Sequence, residues 1–164
     1  MSQHAEIQQR DEQPYVGIRT QVPMDGIAGA VDQAFPALFG WLGQRDIAPA
    51  GAPFIRYHVI DMMASLDIEM GVPVAAPIAG DDSVTAGALP AGRYVVLRHV
   101  GHYDGLIDSN AELQRWARQQ AVALESRDTP QGDAFAGRFE QYLTNPAEEP
   151  DPAKWQVDVA YLIA

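Results

Sequence analysis

One order of elements, strand, helix, strand, strand, is written twice in these 164 residues. Residues Gln13–Val22 alternate apolar and polar positions, with Val16 and Ile18 on one face, as a half-buried strand does. Ile27, Val31, Phe35, Leu38 and Leu42 then recur at spacings of three and four, the stripe of a helix ending near Arg45. Pro36 lies inside that stripe and predicts a kink or a break, because proline lacks the N–H that the preceding turn would bond. Residues 54–60 and 66–74, rich in β-branched and aromatic side chains, read as an antiparallel pair. The order then restarts: a strand at 93–100, a turn at 101–105, and a helix at 106–124 with Leu106, Leu113, Ala117 and Leu124 facing inward. Strands at 135–143 and 154–163 follow, with a proline-rich acidic loop between them.

Two passages echo each other at matching places. Asp25-Gly26-Ile27 and Asp104-Gly105-Leu106 stand at the helix entrances; Phe54-Ile55-Arg56-Tyr57 and Phe139-Glu140-Gln141-Tyr142 stand in the strand after each helix. The pattern predicts one α+β domain over residues 1–164, built as tandem β-α-β-β modules with a pseudo-twofold relation. The halves fall at about residues 5–76 and 93–164, joined by a connector at about 77–92 whose glycines and prolines suit a loop.

Composition narrows the function. The net charge of −11 argues against direct binding of nucleic acid or an anionic membrane, since both are polyanions, and favours a cationic partner. The absence of cysteine removes disulfides, thiolate nucleophiles and cysteine-held metals, and with the polar residues 1–12 suits a cytoplasmic protein without a secretion signal. His58, His99 and His102 lack both helical ligand spacing and a completing acid, so no metal is expected. No phosphate-binding glycine loop, serine elbow or dinucleotide fingerprint is present, and no cofactor is expected.

The tandem modules, Arg98-His99-Val100-Gly101-His102-Tyr103-Asp104-Gly105-Leu106 before the second helix, Trp116 within it, and Phe139-Glu140-Gln141-Tyr142-Leu143-Thr144-Asn145-Pro146 together resemble the GyrI-like, or AraC-type effector-binding, family. The resemblance covers about residues 13–163. It implies a curved eight-stranded antiparallel sheet, two helices on one face, and a central ligand groove between the halves. In multidrug-sensing regulators of the family this domain binds lipophilic cations, neutralised by a buried glutamate that matches Glu140. Other members stand without a DNA-binding segment; some are associated with protection of gyrase and some with hydrolysis of cyclopropane-bearing compounds. No helix-turn-helix precedes Gln13 in this chain, so direct DNA contact is not expected, while a separate protein partner stays open.

Alternation along a strand places Glu140 and Tyr142 on one face, with Ile55 and Tyr57 on the equivalent face of the first half. Met70 and Tyr161 join them from the flanking strands. Tyr103 at the second helix entrance, Trp116, and Phe39 on the first helix complete the candidate lining. Aromatic and thioether walls around one carboxylate suit a hydrophobic, flat cation, and the carboxylate is expected to lack a partner until the ligand supplies one. The alternative is a hydrolase for electrophilic small molecules, with Glu140 as general base and Tyr142 stabilising developing negative charge.

Overall fold

The computed structural model describes residues 5–61 and 63–164. Among the described residues there are ten strands: β1 (Ala5–Arg10), β2 (Gln13–Val22), β3 (Phe54–Ile60), β4 (Leu66–Pro73), β5 (Thr85–Leu89), β6 (Gly92–Val100), β7 (Arg127–Thr129), β8 (Gly132–Ala134), β9 (Arg138–Tyr142) and β10 (Gln156–Leu162). The α-helices among the described residues are α1 (Ile27–Gln44) and α2 (Leu106–Gln119). Eight strands form one antiparallel path, β1-β6-β10-β9-β3-β4-β2-β5, and the β7–β8 hairpin hangs on β3.

The path is its own mirror under the repeat. β2, β3 and β4 of the first half correspond to β6, β9 and β10 of the second, and the outermost strands are exchanged. β1 precedes β2 in the chain but pairs with β6, whereas β5 precedes β6 but pairs with β2. Only two residues separate β1 from β2, and two separate β5 from β6, yet each couple lies near opposite ends of the path. Such short links close only if the sheet curls, so the exchange itself forces the half-barrel.

The register locates the pseudo-twofold. Ile55 pairs directly with Glu140 across the β3–β9 seam, and these are the residues that correspond in the sequence repeat, so the axis passes between them. From that seam Ile55 pairs with Met70 and Met70 with Ile18 on one side; Glu140 pairs with Val159 and Val159 with Leu97 on the other. One row across six strands is therefore apolar at every position except Glu140.

This row faces the helices. α1 covers a core of Leu38, Leu42, Ile55, Ile68, Met70 and Val72, and α2 covers another of Val95, Leu97, Leu113, Val157, Val159 and Tyr161. The opposite, inner face of the curl holds a row of rings, Tyr15, Phe54, Phe139 and Tyr94, in edge-on contacts at 5.0, 5.9 and 5.7 Å between centroids. Gly71 leaves room for this row, since a Cβ there would fall 2.5 Å from the Phe54 ring. Also on the inner face, buried Glu69 accepts from Tyr15 (2.5 Å) and Thr85 (2.7 Å) and lies 2.8 Å from His58 Nε2.

Several expectations need correction. α1 runs through Pro36 as one helix, with the proline on the exposed face, where water can reach the carbonyl that its missing N–H leaves unbonded. The second helix ends at Gln119 rather than 124. Ala121 takes a left-handed φ of 55°, and Val122 and Ala121 donate back to the carbonyls of Ala117 and Arg118, a closing motif that usually carries glycine. α1 closes the same way at Asp46, φ 53°, with Ile47 bonding back to Leu42. The 77–92 connector contains β5, polar residues 5–10 form β1, and the segment before β9 contains the β7–β8 hairpin. These short strands lack the alternation of a half-buried strand because their ladders run along edges.

Candidate functional site

The helix-side cores are separate clusters, and Tyr142 packs against both. Between them, on the seam, stands Glu140, 6% exposed. Strand alternation puts it there: Phe139 and Gln141 point into the curl, whereas Arg138, Glu140 and Tyr142 point toward the helices. A solvated strand carboxylate is excluded by this burial.

The expected lone carboxylate has three donors. Tyr57 gives its hydroxyl proton to Glu140 Oε1 at 2.8 Å, and Tyr142 does so at 3.1 Å. These tyrosines correspond in the repeat, so the pseudo-twofold brings both onto one carboxylate near the axis. On the other oxygen, Asn110 Nδ2 donates at 2.9 Å from the first turns of α2. Asn110 is held in turn: it donates to the Leu106 carbonyl at 2.8 Å, and its Oδ1 accepts from Tyr161 at 2.7 Å. Gln114, one turn on, donates to the Tyr161 hydroxyl at 3.0 Å. Every donor to Glu140 is neutral. Burial, and then the negative charge of Glu140, hold the Tyr57 and Tyr142 hydroxyls well above the usual tyrosine pKa, so both stay protonated donors at physiological pH.

The aromatic surround is larger than the strand faces predict. Tyr103 meets Tyr142 edge-on at 5.4 Å and Trp155 at 4.7 Å, capping one end of the site. Arg138 reaches along the same strand face, its guanidinium carbon 4.5 Å from the Tyr161 ring centre, 4.8 Å from Phe135 and 5.7 Å from Tyr57.

Of the predicted site residues, Glu140, Tyr142, Tyr57, Tyr161 and Tyr103 come together. Ile55 and Met70 share the face but belong to the packed core beneath α1. Trp116 is set apart, lining a small hollow between α2 and β1 with Ala5 and Glu112. Phe39 lies on the flank of the α1 stripe and is 41% exposed. Helix membership places Phe39 and the family resemblance places Trp116, and neither fixes the direction in which a flank residue leans. Asn110, Arg138, Gln114 and Trp155 were missed. Two had a legible signal: Asn110 lies one turn beyond inward-facing Leu106, and Arg138 lies two residues before Glu140 on the same strand face.

The larger cavity, about 390 Å3, is not at this site. It opens on the inner side of the curl beside Arg10, Glu12, Leu89, Tyr94 and Phe139. The buried carboxylate and its donors converge instead at the seam between the helices. Among the described residues no three metal-ligating side chains cluster, and no helix is long and apolar enough to cross a membrane.

The model of the GyrI-like small molecule binding domain matches residues 4–163. The chain belongs to the GyrI-like family. No curated protein matches its sequence. Among solved structures, this GyrI-like domain is similar to EcmrR in an EcmrR–DNA complex, at 17% identity and a TM-score of 0.81, covering 98% of this chain and 57% of that one. It thus spans little more than half of EcmrR. It is also similar to SAV2435 bound to tetraphenylphosphonium, at 14% identity and a TM-score of 0.62, covering 98% and 94%. A hydrolase from Listeria innocua aligns at 15% identity and a TM-score of 0.61, covering 98% and 91%. At these identities the likeness concerns the fold, and the GyrI-like curl with its two helices is common to all of them.

Proposed function

We propose that this GyrI-like domain binds a lipophilic, aromatic cation at the seam between α1 and α2, with Glu140 as its counter-charge. The observation that carries the reading is a buried carboxylate whose three hydrogen-bond donors are all neutral. Neutral donors keep the anion in place without cancelling its charge. At an effective dielectric near 20, a ligand cation 4 Å away gains about 4 kcal/mol from that charge. Contacts with the tyrosine faces add about 0.5–2 kcal/mol each. The acidic surface, −11 overall, steers a cation inward. SAV2435, of the same fold, is known bound to tetraphenylphosphonium, which makes that ion the natural first probe.

The test is a thermal-shift titration with tetraphenylphosphonium. At a hundred times its dissociation constant a ligand stabilises the fold by about 2.7 kcal/mol, roughly 5–10 °C for a domain of this length. Glu140→Gln preserves the volume and loses the charge, and its affinity should fall between about tenfold and a thousandfold. Equal affinity in parent and variant would refute charge recognition.

A hydrolytic reading draws on one feature of the same site. With three donors in place, Glu140 retains a lone-pair direction for a water, and Tyr57 or Tyr142 serves an oxyanion only by turning its single O–H away from Glu140. Turnover of a strained-ring electrophile that vanishes in Glu140→Gln while binding survives is the result that would favour it.

A further inference from the structure

The aromatic surround of Glu140 already contains a cation of its own. Arg138 spreads its guanidinium over three rings, Tyr161, Phe135 and Tyr57, at 4.5, 4.8 and 5.7 Å. Two of these rings belong to the hydrogen-bond network of Glu140. The arginine is held by these faces and by a side-chain hydrogen bond to Tyr161: it forms no ion pair among the described residues, and its Nε is buried with no hydrogen-bond partner. An unsatisfied buried donor is unfavourable, so this resting position is a compromise. Under the repeat Arg138 corresponds to Pro53, so the first half offers no matching cation.

We infer that Arg138 is a specificity-determining residue, a resident competitor that occupies the aromatic faces a cationic ligand would use and yields them only to ligands that replace its contacts. The inference rests on the cation-binding reading above. A small ammonium ion gains too few contacts to displace a guanidinium stacked on three rings, whereas a cation carrying several aryl groups brings its own. Arg138 thereby sets a size threshold, which Glu140 cannot do because its attraction is nearly the same for any cation at a given distance.

The experiment measures binding of tetraphenylphosphonium and of tetramethylammonium to the parent chain, Arg138→Gln and Glu140→Gln by calorimetry at 0.1 M and 0.5 M salt. The expected result is that Arg138→Gln binds both ions more tightly, with tetramethylammonium gaining about tenfold or more and tetraphenylphosphonium less. The gain should persist at 0.5 M salt, because competition for a contact surface is not screened as a through-space repulsion would be. Unchanged or weaker binding by Arg138→Gln overturns the inference and leaves the Glu140 reading intact. A gain equal for both ions, or one erased by salt, also overturns it, because that pattern is simple charge removal. If none of the three proteins binds either ion, the cation reading fails and this inference fails with it. Arg138→Met, which keeps the length and the packing of the stem, takes the place of Arg138→Gln if the latter does not fold.

Discussion

Replacing Asn110 by aspartate is the sharpest probe of how Glu140 is held. The Asn110 amide nitrogen lies 2.9 Å from Glu140 Oε2, so Asn110→Asp puts a second carboxyl group where a donor stood. If both ionise, even after relaxing to about 4 Å they repel by about 4 kcal/mol at an effective dielectric near 20. At 1.36 kcal/mol per unit, that keeps one proton on the pair up to roughly three units above an ordinary aspartate value near 4. Between about pH 4 and pH 7 the folded variant then binds a proton that the unfolded chain does not, so its stability falls as pH rises through that window. Near pH 5 the shared proton restores a hydrogen bond between the two side chains, and the variant should approach the parent. At pH 8 it should be less stable by roughly 2–4 kcal/mol. Asn110→Ala is the control, losing a bond to a charged group at about 1.5–3 kcal/mol with little difference between pH 5 and 8. Urea unfolding followed by circular dichroism at the two pH values measures both. A deficit in Asn110→Asp that is the same at pH 5 and pH 8 would refute the proposed geometry.

Two further outcomes follow from other parts of the fold. Burial raises the Glu69 pKa, but the bonds from His58, Tyr15 and Thr85 outweigh it and hold the value below the usual carboxylate range. Its contribution is thus present above the unfolded pKa and lost as pH falls through the folded one, so the stability gap between parent and Glu69→Gln should narrow between pH 6 and pH 3 in urea titrations. Ala121→Gly should stabilise the domain by roughly 1 kcal/mol, because Ala121 holds a left-handed φ of 55° that glycine adopts without strain; an unchanged or lowered melting temperature would count against that account of the α2 terminus.

Legibility in the sequence followed the range of the interaction. The two helices, the six inner strands and the face shared by Glu140, Tyr142, Tyr57 and Ile55 come from periods of 3.6 and 2, which each segment carries in its own side chains. Where the local signal has a substitute, the reading slipped. Ala121 closes α2 without the glycine that marks such an end, and Pro36 on the exposed face of α1 breaks a pattern without breaking the helix.

What the sequence by itself determined is that one carboxylate interrupts an apolar face repeated in two halves. Only the tertiary structure decided what that carboxylate is bonded to. Ile55 and Glu140 meet because the register of β3 on β9 puts the pseudo-twofold between them, and that axis then directs Tyr57 and Tyr142, 85 residues apart, to the same oxygen. Asn110 and Arg138 enter from an α2 turn and a strand end whose positions depend on how the sheet curls. The curl follows from the exchange of β1 and β5 between the halves, and such pairing at long sequence separation leaves no mark in the local pattern of either strand.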